Sequence, residues 1–138
     1  MISTTNAVHV LLADDDEDDR MLFKELVSEL SISAFLMTVE DGEELMNVLS
    51  TIQSSPPPHL IFLDINMPRM NGTQTLRRLK TDDRFRNIPV IIYSTSLNNI
   101  ERDECLALGA HSYVIKPVSY RDTVATAKRF YEMSMGIE

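Results

Sequence analysis

Short apolar runs alternate with stretches whose apolar residues recur at helical spacing, and the alternation repeats five times along the chain. The runs lie at residues 8–13, 34–39, 59–63, 88–94 and 111–115. A run of this length bounded by turn residues suits a strand covered on both faces. Between the runs, 17–31 carries Leu22, Phe23, Leu26, Val27 and Leu30, 43–52 carries Leu45, Val48, Leu49 and Ile52, and 73–81 carries Leu76 and Leu79. Each set lines one side of a helix, with Arg77, Arg78 and Lys80 turned mostly outward from the third. Residues 97–108 and 119–135 continue the series, the last with Tyr120, Val124, Ala127 and Tyr131 as its inner stripe. Strands alternating with helices imply parallel strands joined by right-handed crossovers.

Local signals agree with these boundaries. Acids crowd the first turn of the first helix, where the positive end of the dipole favours them. Asp41-Gly42 is a turn, Pro89 sits near the start of its strand where a missing donor is tolerated, and Gly109 stands where a C-terminal cap belongs. Pro56, Pro57 and Pro58 end a helix and read as a helix-to-strand connection. The first strand is not followed by a dinucleotide-binding glycine pattern. The expected architecture is therefore α/β: a flavodoxin-like, doubly wound, five-stranded parallel sheet of order 2-1-3-4-5 with five helices.

At 138 residues the chain fits a single domain with a real core. Its net charge of −8 argues against electrostatic binding to nucleic acid or to anionic membranes. A single cysteine, Cys105, forbids an internal disulfide and sits in an apolar helical stretch as a packing residue. There is no secretory signal and no apolar run near the ~20 residues of a membrane helix, so a soluble cytoplasmic protein is expected.

In such a sheet all strand ends share one edge, and this edge collects ligands. The first strand delivers Asp14 and Asp15, the third Asp64, the fourth Ser94-Thr95-Ser96 and the fifth Lys116. Asp64, taken alone before Asn66, Met67 and Pro68, is an ordinary turn acid. Three converging carboxylates are different, because like charges raise each other's pKa unless a cation neutralises them. A hard divalent ion such as Mg²⁺ suits oxygen ligands of this kind. Lysine and a hydroxyl opposite the acids suit phosphoryl oxygens, and a carboxylate can accept a phosphoryl group as an acyl phosphate.

Taken together these residues resemble a bacterial two-component response-regulator receiver domain, of the stand-alone, chemotaxis-regulator-like kind, from about residue 8 to 133. The matching pieces are Asp14-Asp15, Leu63-Asp64-Ile65-Asn66-Met67-Pro68 with Gly72, Ser94, and Leu108-Gly109-Ala110 leading to Tyr113 and Lys116-Pro117. The resemblance implies Asp64 as phospho-acceptor and Mg²⁺ (or Mn²⁺) held by Asp15, Asp64, the Asn66 backbone carbonyl and, through water, Asp14. It implies Lys116 as the partner of the phosphoryl oxygens, a cis Lys116–Pro117 bond, and Ser94 with Tyr113 as a switch pair. Tyr113 also reads as a half-buried aromatic packing on the last helix. Asp16, Glu17, Asp18 and Asp19 read as a solvated helix start, Asp16 with a possible part in the metal site. Met67 and Met70 read as local packing, and His9, His59 and His111 lie away from the edge.

The implied function is a phosphorylation-dependent signalling switch, not an enzyme beyond its own phosphoryl transfer and dephosphorylation. A sensor histidine kinase or histidine phosphotransfer protein would supply the phosphoryl group. The few residues after the last helix leave no room for an output domain. The signal would therefore pass to a downstream protein, or to a second copy, across the face of helix 4, strand 5 and helix 5. That face holds Asn98, Asn99, Arg102, Tyr113, Arg121 and Lys128, with Phe130 and Met133 off the inner stripe. A haloacid-dehalogenase-type phosphatase would need an acid two residues after the nucleophile, where Asn66 stands. A flavin carrier would need a phosphate loop where the chain has Asp14-Asp15-Asp16. An adaptor with a degenerate site is disfavoured by intact Asp15, Asp64, Ser94 and Lys116.

Overall fold

Strand runs rich in Leu, Ile, Val and Phe take their place in a five-stranded sheet in the computed structural model of the chain. The structure describes residues 8–29, 34–51, 58–95 and 97–116, together with Asp122, Ala125, Thr126, Lys128, Arg129 and Glu132. The elements are β1 (Val8–Ala13), α1 (Glu17–Glu29), β2 (Ala34–Val39), α2 (Gly42–Thr51) and β3 (Leu60–Leu63). They continue with α3 (Gly72–Lys80), β4 (Val90–Ser94), α4 (Asn99–Ala107) and β5 (Ser112–Ile115). Every strand pairing is parallel and the order is β2-β1-β3-β4-β5, as expected.

Side chains alternate across a strand, and the alternation divides the core in two. Leu11, Ala13, Ile61, Leu63, Val90 and Ile92 face α2, α3 and α4, where Leu45, Leu49, Leu76, Leu79 and Cys105 meet them. Leu12, Leu60, Phe62, Ile91 and Tyr93 face the other way and receive Phe23 of α1. Phe23 stands edge-on to Phe62 with ring centroids 5.0 Å apart, a favoured aromatic geometry. The central strands β3 and β4 are buried at every residue, which is why they read as unbroken apolar runs. Cys105 is a core residue, as its sequence context suggests.

Helix ends follow local chemistry. Asn71 caps α3 in a reciprocal capping box with Gln74, and Asn98 caps α4 by accepting from the Glu101 N–H. Gly109, at φ +109°, closes α4. Its N–H donates to the Leu106 carbonyl and the Ala110 N–H to the Cys105 carbonyl, the two bonds of a Schellman motif.

Two expectations about helix faces are corrected. Leu22 is 43% exposed, because Phe23 and Val27 hold the sheet-facing line of α1 and Leu22 lies a third of a turn away. Lys80 does not point into solvent: its Nζ donates to the Arg86 and Ile88 carbonyls, both at 3.0 Å, and ties α3 to the chain entering β4. Helix bounds differ from expectation by a few residues at most, as frayed ends allow. Of the last helix, the six described residues from Asp122 to Glu132 are helical and the rest lies outside the described residues. So do Pro56, Pro57 and the Lys116–Pro117 bond. Among the described residues no helix is long and apolar enough to cross a membrane.

Candidate functional site

Because all strands run parallel, Asp14, Asp64, Ser94 and Lys116 leave their strands at the same edge of the sheet. Lys116 is the hub. Its Nζ lies 2.7 Å from Asp14 Oδ2, 2.9 Å from Asp19 Oδ2 and 3.3 Å from Asp64 Oδ2. The backbone fixes the edge as well: Asp64 N–H donates to the Ala13 carbonyl at 3.0 Å, and Lys116 N–H to the Ser94 carbonyl at 2.6 Å. Asp14 is buried and accepts the Asp16 N–H at Oδ1, while Arg20 Nη1 donates to its carbonyl at 2.7 Å.

Asp64 is 8% exposed, and Asp15 beside it is exposed. Burial pushes the Asp64 carboxyl up to about 6; Lys116 works against this rise and the Asp14 charge adds to it. Lys116 is raised above the ordinary lysine range: burial pulls it down, but the bonds to Asp14 and Asp19 prevail. Burial likewise lifts the Tyr93 phenol to about 12.

One carboxylate oxygen each from Asp14, Asp15 and Asp64 lie within 4.8 Å of one another. All three donors are hard oxygens, and one ammonium does not balance them together with Asp19. The set fits a divalent cation of the Mg²⁺, Mn²⁺ or Ca²⁺ kind.

The loop from β3 to α3 is held from both sides. Gly72 N–H donates to the Ile65 carbonyl at 2.9 Å, and a Cβ on Gly72 would meet the Asp64 carbonyl oxygen at 2.3 Å. Arg69 adopts φ +61°, with Met70 N–H closing a tight turn onto the Pro68 carbonyl. The Arg69 guanidinium pairs with Asp41, a fully buried carboxylate that also caps α2 through the Glu44 N–H at 2.9 Å. Burial would raise the Asp41 carboxyl, but the Glu44 N–H and Arg69 hold it below its ordinary value. Gly42 N–H donates to the Met70 carbonyl, so the start of α2 is pinned to the same loop. Met67 is buried and Met70 packs against the same core, as their sequence context suggests.

Ser94 Oγ is buried and has no hydrogen-bond partner among the described residues. Tyr113 is half-buried, packs against the larger core and donates from its hydroxyl to Glu101 Oε1 of α4 at 3.2 Å. Burial and the Glu101 charge raise its phenol. Contact of Tyr113 with the last helix lies outside the described residues. Asn66 is exposed.

Sequence reasoning missed two acids here. Asp19 is only partly solvated: as the third residue of α1 it turns back toward the strand ends and meets Lys116. Asp16 instead caps α1, accepting the Asp19 N–H at 3.1 Å, and is not grouped with the other site acids. Asp41 read only as a turn acid; its partner Arg69 lies in the β3–α3 loop, beyond α2 and β3, and only the fold brings the two together.

The family model of the response regulator receiver domain matches residues 10–128. The chain belongs to this family. It is 30% identical over 132 residues to response regulator Rcp1 of Synechocystis, covering 94% of this chain and 85% of Rcp1. In structure it is similar to the phosphorylated cyanobacterial phytochrome response regulator RcpA, with a TM-score of 0.86, 26% identity and 96% of each chain covered. Response regulator RPA3017, in red light signalling of R. palustris, has a TM-score of 0.84 at 30% identity, covering 95% of this chain and 96% of its own. The Mn²⁺-bound form of Rcp1 has a TM-score of 0.81 at 26% identity, covering 91% and 92%.

The chain is thus a receiver domain of the two-component type, a phosphorylation-dependent signalling switch. Receiver domains exchange phosphoryl groups with histidine kinases or phosphotransfer proteins and pass the signal to downstream partners; they bind divalent metal and are not turnover enzymes beyond their own phosphorylation.

Proposed function

We propose that Asp64 is the phospho-acceptor of this receiver, with Lys116 and Ser94 as the groups that hold the phosphoryl oxygens. The observation that carries this is the buried Asp64 carboxylate with the Lys116 ammonium 3.3 Å from one oxygen, inside a cluster of three acids. With its carboxyl at about 6, Asp64 is ionised and nucleophilic at neutral pH. Its Oδ1 accepts the Ile65 N–H at 2.8 Å and Oδ2 faces Lys116; one of these oxygens forms the new P–O bond as the bond from phosphorus to the donor breaks, and the departing electron pair leaves with the donor. Lys116 donates to the phosphoryl oxygens in flight, where charge is spread over three of them. Ser94 Oγ, buried and unpartnered among the described residues, has a hydrogen to give to one of them. Asp14, Asp15 and Asp64, with the Asn66 carbonyl, would hold Mg²⁺ or Mn²⁺, which when bound neutralises the acids and the incoming phosphate. The Mn²⁺-bound Rcp1 supports that assignment.

The donor is a sensor histidine kinase or phosphotransfer protein. A phytochrome-type kinase is the first to test, because RcpA and RPA3017 serve phytochrome and red light signalling. Intact mass after incubation with acetyl phosphate tests the reading directly. One phosphoryl group should appear with Mg²⁺, fail to appear with EDTA and be lost at alkaline pH. Metal-independent labelling, or none, would sink it, and steady turnover of added phosphate monoesters would favour a phosphatase.

The signal leaves, in this reading, by the face of α4, β5 and the last helix. Phosphorylation draws the Ser94 hydroxyl inward and lets Tyr113 exchange its Glu101 bond for the vacated space, a two-state rearrangement. On this face Leu97, Ile115 and above all Ile100, 84% exposed, offer apolar contact to a downstream protein or a second copy. Adding beryllofluoride, a phosphoryl mimic, should shift backbone NMR resonances at Tyr113 and along α4, and Ser94→Ala should suppress those shifts. Changes confined to the Asp64 pocket would refute the route.

A further inference from the structure

Lys116 offers three N–H donors, and three carboxylates take them. The two shorter contacts, 2.7 Å and 2.9 Å, go to Asp14 and Asp19 and not to Asp64 at 3.3 Å. Asp14 shares oxygen geometry with Asp15 and Asp64, so a cation there weakens its hold on the ammonium. Asp19 stands outside that group among the described residues, so its hold persists when the cation binds. Its place is fixed locally: the Asp19 N–H is bonded to Asp16 Oδ1, which sets the first turn of α1 and aims the side chain back at the strand ends.

We propose that Asp19 is a positioning residue that restrains the Lys116 ammonium and so limits how readily the domain takes up a phosphoryl group. The inference rests on reading Asp64 as the acceptor. A phosphoryl group arriving at Asp64 needs an N–H from Lys116, and Asp19 competes for it. Once the group is in place, the Asp19 carboxylate also repels its negative oxygens. Both effects oppose phosphorylation. The Asp19 side chain is 36% exposed, so water screens the pair and the contact can be released. It is a brake, not a lock.

An acid in the first turn of a helix is also favoured by the dipole, so a purely structural role must be separated by experiment. Asp18, the adjacent residue on the same turn, is exposed and makes the control. The initial rate of phosphoryl uptake from acetyl phosphate, at saturating Mg²⁺, is measured by intact mass for wild type, Asp19→Asn, Asp19→Glu and Asp18→Asn. In this uptake the P–O bond to acetate breaks, acetate leaves as the anion, and the phosphoryl group bonds to an Asp64 oxygen. Asp19→Asn should be faster by about fivefold, the scale of a partly exposed ion pair. Asp19→Glu, which restores the charge, should return toward wild type, and Asp18→Asn, which makes the same change in net charge, should match wild type. An unchanged or slower Asp19→Asn overturns the proposal, as does equal acceleration in Asp18→Asn. Absence of uptake in wild type overturns the acceptor reading and this inference with it, whereas normal wild-type uptake with an indifferent Asp19→Asn overturns this inference alone.

Discussion

Asp64→Asn is expected to take up no phosphoryl group from acetyl phosphate and, without metal, to be more stable than wild type at neutral pH. The two effects have one cause. The carboxylate sits where burial and Asp14 raise its pKa to about 6 from 3.8, even with Lys116 alongside. Keeping it charged therefore costs the folded state on the order of 2 kcal/mol. The sign follows from proton binding. Between about 4 and 6 the folded chain binds more protons than the unfolded one, so stability falls as pH rises through that window. The penalty is fully present above the folded value and absent below the unfolded one. Asn carries no charge and escapes it. Urea denaturation in EDTA should show Asp64→Asn ahead of wild type at neutral pH and the advantage shrinking as pH drops toward about 4. Labelling of the variant would move the acceptor elsewhere, and a less stable variant at neutral pH would mean that the Lys116 pairing outweighs burial.

What the sequence makes legible depends on how a residue reaches the site. Asp14, Asp64, Ser94 and Lys116 each end a strand run, and parallel topology alone carries every such residue to one edge. Two-sided burial makes β3 and β4 unbroken apolar runs, so the strands that deliver Asp64 and Ser94 stand out most clearly. Asp19 and Asp41 arrive differently. Asp19 meets Lys116 across 97 residues, from a first turn of α1 whose other acids, Glu17 and Asp18, face water. Asp41 meets Arg69 only because α2 and the β3–α3 loop pack together. Nothing local to either residue marks the pairing. The exposed Ile100 and Leu106 escape pattern reading for a related reason: α4 buries little beyond Cys105, so its apolar residues do not report one inner face. An apolar residue in a helix period signals burial only where the helix has something to cover.

Gly72→Ala should damage stability and phosphoryl uptake together. Gly72 begins α3 without a positive φ, so alanine meets no backbone strain there. By helix propensity alone the substitution would help by up to about 1 kcal/mol. The obstacle is contact. An added Cβ would lie 2.3 Å from the Asp64 carbonyl oxygen, 2.9 Å from the Ile65 Cα and 3.0 Å from the Asp64 carbonyl carbon. These are backbone atoms and cannot swing aside as a long side chain would. The Gly72 N–H is also bonded to the Ile65 carbonyl at 2.9 Å, so separating the segments strains or breaks that bond. A net loss of about 2–3 kcal/mol is expected, the scale of overpacking against an immovable neighbour. What moves in response is the peptide of Asp64 itself. Displacing an acceptor by a fraction of an ångström to an ångström relative to Lys116 should slow uptake by about tenfold to a hundredfold. Gly109→Ala separates the two losses. Its φ of +109° strains alanine, but the nearest atoms are the flexible Lys80 side chain at 3.4 Å. That variant should lose about 1–2 kcal/mol and keep wild-type uptake, since Gly109 leads into the start of β5 whereas Asp64 follows the end of β3 in the same parallel sheet. Urea denaturation and intact-mass labelling of both variants check the pair. If Gly72→Ala labels at the wild-type rate, the close approach of α3 to the Asp64 peptide does not position the acceptor, and the loop's role in the site falls with it.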